Sequence, residues 1–332
     1  MRSFEYLVPD SVAAAVDALA VAEPGTKILA GGTTLYDLMK VGVEAPPAVI
    51  DIHRLAELTE ISTGGDELSF GAGVKMADVA DHPVVRRDYP ALSEALWRGA
   101  SQQLRNMATV GGNLLQRTRC SYFRGGPEVP CNKRNPGSGC AALEGFDRGH
   151  AMLGTSGSCI ATYPSDMATA LIAFDAVIDV AGPEGERTLP LGELHVEPGD
   201  EPWREHTLAA DELILRIRIP ATPAGRGSTY LKIRDRESYA FALTSAAAAL
   251  TLDAQGIVTD CRIGLGGVAT RPWRASAAER SLIGGQLTEQ TARHAGEVAY
   301  ADAEPRVYGG FRIELGIRTV ADALLTAGKR AI

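Results

Sequence analysis

The part of this sequence that most constrains its fold is an irregular stretch, residues 117–150, which cannot build a core of its own. It is rich in Gly, Pro, Arg and Cys, and its apolar residues follow neither a helical nor a strand period. So long a stretch inside a compact domain is typical of a functional insertion or of disorder. Four of the five cysteines, Cys120, Cys131, Cys140 and Cys159, lie in it or just after it. The sequence therefore predicts a cross-linked insertion in a fold whose core is built elsewhere.

Several kinds of cross-link fit these cysteines. Structural zinc sites usually pair cysteines two to four residues apart, whereas ten, eight and eighteen residues separate successive cysteines here. No secretory signal opens the chain, which makes disulfides less expected than a metal site. Iron–sulfur clusters tolerate varied spacing, and their negative charge suits a stretch with six basic and three acidic residues. The pattern favours a [4Fe–4S] cluster, with zinc, two disulfides or four unlinked thiols as the alternatives.

Two glycine pairs are the second informative feature. Residues 27–30 form a short apolar strand that runs into residues 31–34 (Gly-Gly-Thr-Thr) and then into a helix. Backbone N–H groups exposed at such a turn can bind a phosphate, although a tight structural turn gives the same pattern. A second pair, residues 111–112, follows Thr109 and precedes Asn113. Two such elements in one chain indicate a long ligand with a phosphate at its middle, such as a dinucleotide.

Other features limit the function. Asp166 starts a helix capped by Ser165, where its carboxylate either accepts hydrogen bonds from ligand hydroxyls or only favours the helix N-terminus. No nucleophile motif is present, so we assign no catalytic residue to this chain. No apolar run is long enough to span a membrane. A net charge of −8 argues against nucleic acid as the main partner.

Periodicity places regular elements around these features. The patterns predict helices over residues 12–22 and 83–97, regular structure again at 158–162, a hairpin over 177–191, a half-buried strand over 215–219 and, after a linker at 220–227, strands over 229–233, 243–252 and 257–268.

Four segments, taken together and in chain order, resemble a known family. They are residues 28–35 (ILAGGTTL), 106–114 (NMATVGGNL), 164–166 (PSD) and 212–220 (ELILRIRIP). They resemble the FAD-binding medium subunit of the molybdenum hydroxylases, the xanthine dehydrogenase and carbon monoxide dehydrogenase family. The cysteine insertion is similar to that of the flavin subunit of bacterial periplasmic aldehyde oxidoreductases, which carries an extra [4Fe–4S] cluster.

The resemblance implies a fold class and a domain organisation. The class is α+β: a vanillyl-alcohol-oxidase-type FAD-binding fold of two α/β subdomains, followed by a C-terminal α+β domain like that of the carbon monoxide dehydrogenase flavoprotein. The subdomains would cover residues 1–57 and 58–222, with the cysteine-rich insertion at 117–160. The C-terminal domain would cover residues 226–332.

The resemblance also implies site residues. The FAD pyrophosphate would lie against Lys27, Ile28, Leu29, Ala30, Gly31, Gly32, Thr33, Thr34 and Leu35. The other side of the dinucleotide would be lined by Thr109, Gly112 and Asn113. Asp166 would bind FAD hydroxyls, Ile214 would pack near the adenine or flavin, and Lys232 would lie near the flavin. Cys120, Cys131, Cys140 and Cys159 would hold the [4Fe–4S] cluster, and Cys261 would take no part.

The function implied is electron transfer within a complex. A large subunit with molybdopterin would oxidise an aldehyde, a small subunit would carry [2Fe–2S] clusters, and FAD in this chain would pass the electrons to an external acceptor. The absence of a signal suggests a cytoplasmic protein, or a periplasmic one if a partner's signal exports it. The competing hypothesis is a zinc-stapled nucleotide-binding scaffold without redox activity.

Overall fold

The structure, a computed structural model, describes residues 1–331 and begins with a small unit built on a three-stranded sheet. Its three parallel strands lie in the order β1-β3-β2. The elements are β1 (Glu5–Leu7), α1 (Val12–Ala20), β2 (Lys27–Leu29), α2 (Leu35–Lys40) and β3 (Ala48–Asp51). As the N-cap of α1, Ser11 accepts a hydrogen bond from the Ala14 N–H at 3.2 Å. The apolar face of α1 packs with β3 and with residues of the second unit, including Leu213 and Leu215.

The second unit is a five-stranded antiparallel sheet with helices on one face. Its elements are β4 (Ile61–Ser62), β5 (Glu67–Gly71), α3 (Met76–Asp81), α4 (Pro83–Asp88), α5 (Pro90–Arg98), α6 (Gln102–Arg105), α7 (Val110–Leu114), α8 (Ser121–Arg124), α9 (Asp166–Ala173), β6 (Val177–Gly182), β7 (Gly185–Pro190), α10 (Leu191–Leu194) and β8 (Leu213–Pro220). The strand order is β4-β5-β8-β6-β7. As the alternation predicted, Ile217 and Ile219 on β8 are buried, whereas Arg218 points outward to Asp179 and Glu67.

Two sequence expectations in this unit were wrong in detail. The helix expected over 83–97 is two helices, because Pro90 has no N–H to continue α4 and instead opens α5 at its first position. The structure at 158–162 is not a strand. There the Cys159 N–H bonds to the side chain of Ser156 at 3.2 Å, and this local bond competes with a ladder.

The third unit is a four-stranded antiparallel sheet in the order β12-β11-β10-β9, covered by helices. Its elements are β9 (Ser228–Ile233), β10 (Thr244–Leu252), β11 (Val258–Gly266), β12 (Trp273–Arg274), α11 (Ser276–Leu282), α12 (Glu289–Ala299) and α13 (Phe311–Arg330). Residues 246–249 of β10 are all alanine and fully buried, so α9 can approach one face of the strand and α13 the other. Gly264 of β11 lies against α9, where a Cβ would be 2.2 Å from the Thr169 carbonyl oxygen. The start of α9 lies beside β9, where Tyr230 and Lys232 donate hydrogen bonds to Asp166.

The helices of the described chain are all unsuited to crossing a bilayer: within residues 1–331, none is both long and apolar enough.

Candidate functional site

A deep cleft of about 1950 Å³ runs between the first two units and reaches the loop between β9 and β10 of the third. Every residue that the sequence predicts at the cofactor site lines this cleft. The residues come from the end of β2, from α7, from the start of α9, and from β8 and β9. Ile214 of β8 is among them and is buried. The structure thus brings the predicted residues together, and their contact with a cofactor stays a prediction.

The turn at residues 31–35 presents a row of backbone donors. Gly32 has a φ of +72°, a conformation that strains any residue with a side chain. A Cβ on Gly31 would lie 2.2 Å from the Met107 carbonyl oxygen, so this position also requires glycine. The N–H groups of residues 31–35 donate to no protein acceptor within residues 1–331. Free donors in a turn that opens with two glycines can approach an anion closely.

The second glycine segment contributes mostly to packing. Thr109 caps α7 by accepting a hydrogen bond from the Gly112 N–H at 3.3 Å. A Cβ on Gly111 would lie 2.7 Å from the Cβ of Ala72. The side-chain oxygen of Asn113 accepts a hydrogen bond from the Ser165 hydroxyl at 2.5 Å. Because Ser165 is the N-cap of α9, this bond ties the second glycine segment to the helix that carries Asp166.

Asp166 is buried and already has two partners in the protein. The Tyr230 hydroxyl donates to its Oδ1 at 2.5 Å, and the Lys232 ammonium donates to its Oδ2 at 2.8 Å. Burial raises the pKa of Asp166, while Lys232 and Tyr230 oppose that shift. A carboxylate has further lone pairs, so Asp166 can still accept a ligand hydroxyl from the cleft. Sequence reasoning missed Tyr230, although it lies two residues before Lys232 on the same face of β9.

The four clustered cysteines occupy one region of the insertion, and none of them is paired in a disulfide. Cys131 and Cys140 face each other in a short antiparallel bridge, and Cys120 packs beside Cys131. The pKa of Cys120 is raised to about 11, chiefly by burial; the backbone N–H groups of Phe123 and Tyr122 oppose this shift, and the nearby thiols of Cys131 and Cys159 add to it. Burial also raises the pKa of Cys159; the Lys133 ammonium opposes this shift, and the thiols of Cys140 and Cys131 add to it. Within residues 1–331, no three His, Cys, Asp or Glu side chains already stand at metal-binding distances from one another.

Cys261 lies apart, buried in β11 and packed in the core of the third unit. The pKa of its thiol is raised to about 12, first by burial and then by the nearby carboxylates of Glu279 and Asp260. Such a cysteine is a small apolar core residue.

The basic residues of the insertion are mostly neutralised by carboxylates rather than gathered around the cysteines. Arg117 contacts Glu44 and Glu205, and Lys133 bonds to Glu205 at 3.0 Å. Four of these basic residues line the cleft, but among the four only Arg119 has no carboxylate partner in residues 1–331; it donates instead to the Thr34 hydroxyl at 3.3 Å. The sequence shows the positive charge of the insertion, but not which of these basic side chains pair with carboxylates.

Comparison with known proteins agrees with this arrangement. Residues 2–222 match the family described as the FAD binding domain in molybdopterin dehydrogenase, and residues 229–328 match the CO dehydrogenase flavoprotein C-terminal domain. The chain is 46% identical over 334 residues to the aldehyde oxidoreductase FAD-binding subunit PaoB of Escherichia coli (strain K12), with 100% of both chains covered. It is 28% identical over 302 residues to the carbon monoxide dehydrogenase medium chain of Hydrogenophaga pseudoflava, which covers 91% of this chain and 88% of that one.

A solved structure shows the same fold. The carbon monoxide dehydrogenase from Hydrogenophaga pseudoflava that lacks the Mo-pyranopterin moiety matches with a TM-score of 0.78 at 28% identity, covering 100% of this chain and 99% of that chain. The α+β class, with an FAD-binding domain followed by a flavoprotein domain, is therefore confirmed. Because the family matches span most of the chain and a full-length relative is 46% identical, this oxidoreductase subunit belongs to the FAD-binding medium subunits of the molybdenum hydroxylase family.

Proposed function

We propose that this chain holds FAD in the cleft, with the pyrophosphate against the N–H groups of residues 31–35. The observation that carries the proposal is this row of free donors in a turn that requires glycine twice. At Gly31 a side chain would collide with the backbone, and at Gly32 the positive φ disfavours one. A pyrophosphate is an anion that such donors stabilise. The cleft, at about 1950 Å³, exceeds the usual pocket for a small molecule and has room for a dinucleotide.

At the other side of the site, we propose that Asp166 accepts a hydrogen bond from an FAD hydroxyl. Tyr230 and Lys232 hold its carboxylate in one orientation, and Asn113 holds Ser165 at the cap of the same helix. When bound, FAD supplies the exchange between one-electron and two-electron transfer. The protein contributes the binding, the orientation and the fixed charge of the Lys232 ammonium near the ligand.

We propose that Cys120, Cys131, Cys140 and Cys159 are the ligands of a [4Fe–4S] cluster. Four free thiols in and just after the insertion would form an all-sulfur donor set once they close onto a metal, and such a set suits either iron–sulfur or zinc. Membership in a family of oxidoreductase subunits supports iron–sulfur, because zinc has no redox chemistry. The raised pKa values of the thiols of Cys120 and Cys159 mean that loading must release protons. Cys159 also lines the cleft, which would bring the cluster close to the flavin.

We further propose that the chain works in a complex that oxidises aldehydes. The relative that is 46% identical is called an aldehyde oxidoreductase FAD-binding subunit, and another is called a medium chain. These names support partner subunits, and the family description names a molybdopterin dehydrogenase. We propose a large molybdopterin subunit and a small [2Fe–2S] subunit, from which electrons reach this chain and leave to an external acceptor. We retain the division into residues 1–57, 58–222 and 226–332 as the proposed domains.

A pair of matched variants tests the FAD site. Gly32 and Gly42 have nearly the same backbone conformation, with φ of +72° and +74°, but only Gly32 lines the cleft. Valine imposes a comparable backbone strain at both positions. We expect the complex with Gly32→Val to lose flavin, measured after acid extraction, and the complex with Gly42→Val to keep it. Full flavin content in Gly32→Val, or equal loss in both variants, would overturn the assignment.

A further inference from the structure

The guanidinium of Arg119 lies in the cleft without a carboxylate partner in the described chain. Arg119 directly precedes Cys120 in the insertion, yet its side chain extends into the cleft. There it donates to the Thr34 hydroxyl at 3.3 Å and to the Arg117 carbonyl oxygen, and its planar group lies 5.4 Å from the Phe241 ring. Arg119 therefore connects the cysteine insertion, the turn at 31–35 and the loop before β10.

Arg119 lacks the counter-charge that its neighbours have. Arg117, Arg124, Lys133 and Arg148 each form an ion pair with a carboxylate. Arg119 has no carboxylate within 4.0 Å in the described chain. The nearby Asp37 is engaged by Arg124 at 2.8 Å.

Backbone carbonyls do not replace the missing counter-charge. The fully buried Arg312 donates to the carbonyl oxygens of Leu243, Arg148, His150 and Gly267. Arg119 uses only two protein acceptors, of which one is a neutral hydroxyl. A partly buried cation without a counter-charge is unfavourable, so Arg119 is poised for an anion from outside the chain.

The same place in the cleft has the free N–H groups of residues 31–35, beside the hydroxyl that Arg119 contacts. An arginine fork together with backbone donors is the arrangement that binds phosphate groups. We propose that Arg119 binds the pyrophosphate of FAD, so that an arginine of the cysteine insertion completes the flavin site. This inference rests on the proposed FAD site at residues 31–35.

The position of Arg119 next to Cys120 has a consequence for assembly. If the cluster orders the insertion, it also places Arg119, and flavin retention depends on cluster loading. Flavin content should depend on the cluster, whereas iron content should not depend on the Arg119 side chain. Cys131→Ser lowers both iron and FAD, whereas Arg119→Gln lowers FAD and leaves iron unchanged.

The test measures flavin binding to the deflavinated complex by fluorescence quenching. Loss of one charged hydrogen bond to a phosphate raises a Kd by about tenfold to hundredfold. We expect the Kd for FAD to rise by this factor in Arg119→Gln. Arg119→Lys, which keeps the charge but not the fork, should weaken FAD binding less. Riboflavin, which has no phosphate, should bind the Arg119→Gln and unaltered complexes equally. Arg148→Gln is the matched control, because Arg148 lies in the same insertion but does not itself line the cleft, and the substitution should leave both Kd values unchanged.

The outcomes separate the two proposals. If Arg119→Gln binds FAD normally while Gly32→Val loses it, the role of Arg119 is wrong and the FAD site stands. If both variants bind FAD normally, the FAD site itself is wrong. If Arg119→Gln loses iron and weakens riboflavin as much as FAD, the side chain acts through the fold of the insertion, and the direct contact is refuted.

Discussion

Replacement of Lys232 by methionine removes the charge that pairs with Asp166 while keeping an apolar chain of similar length. The Lys232 side chain is 1% exposed and its Nζ lies 2.8 Å from the Asp166 Oδ2. Loss of one partner from a buried ion pair costs about 3–5 kcal/mol of unfolding free energy. The Tyr230 hydroxyl still donates to the other oxygen, so we expect a loss of about 3 kcal/mol at neutral pH. Urea unfolding of the full chain, followed by circular dichroism, measures this loss.

The loss of unfolding free energy in this variant should increase as the pH rises. Burial already raises the pKa of Asp166, and without the ammonium this pKa rises further. The folded variant then holds a proton that the unfolded chain, with an aspartate pKa of about 3.9, has released. Stability of the variant therefore falls as pH rises, and the penalty is larger at about pH 8 than at about pH 5. Adding Asp166→Asn should recover most of the loss, whereas a penalty below about 1 kcal/mol that does not change with pH would refute the buried pair.

Three further results are expected. Gly31→Ala should lower the unfolding free energy by about 1–3 kcal/mol and reduce flavin content, because its Cβ would lie 2.2 Å from a backbone carbonyl oxygen; unchanged melting would contradict this. Arg117→Ala should destabilise the chain at neutral pH. Although burial opposes them, Arg117 and Lys133 lower the pKa of Glu205, so their stabilisation is present above the usual glutamate pKa and is lost on acidification. The penalty should therefore shrink in acid, as thermal melts at two pH values can check. Cys261→Ser should leave iron content unchanged, whereas serine at any of the four insertion cysteines should lower it; iron loss in Cys261→Ser would show the ligand set to be wrong.

The sequence predicted those parts of the site that depend on short-range chemistry. The turn at residues 31–35 follows from a strand, two glycines and a helix start, all adjacent in the chain. The cap of α9 by Ser165 is equally local, and the side chain accepts from the Ala168 N–H at 3.1 Å as the pattern indicates. The alternation in β8 also depends only on neighbouring residues. Such features need no knowledge of which distant segments meet.

The sequence could not supply the partners that arrive from distant segments. Tyr230 lies 64 residues from Asp166, and only the packing of α9 against the third sheet brings the two together. Arg119 lies 85 residues from Thr34, and its charge alone could not show that it faces the cleft. The misread helix at 83–97 is a different case, because Pro90 was a visible local signal that the apolar period obscured.

The most direct test of the account is a crystal structure of the whole complex with anomalous diffraction recorded at the iron and zinc edges. We expect iron peaks between Cys120, Cys131, Cys140 and Cys159, and flavin density running from the turn at 31–35 to Asp166. A zinc peak among the four cysteines, four thiols without metal, or a flavin bound outside this cleft would refute the proposed sites.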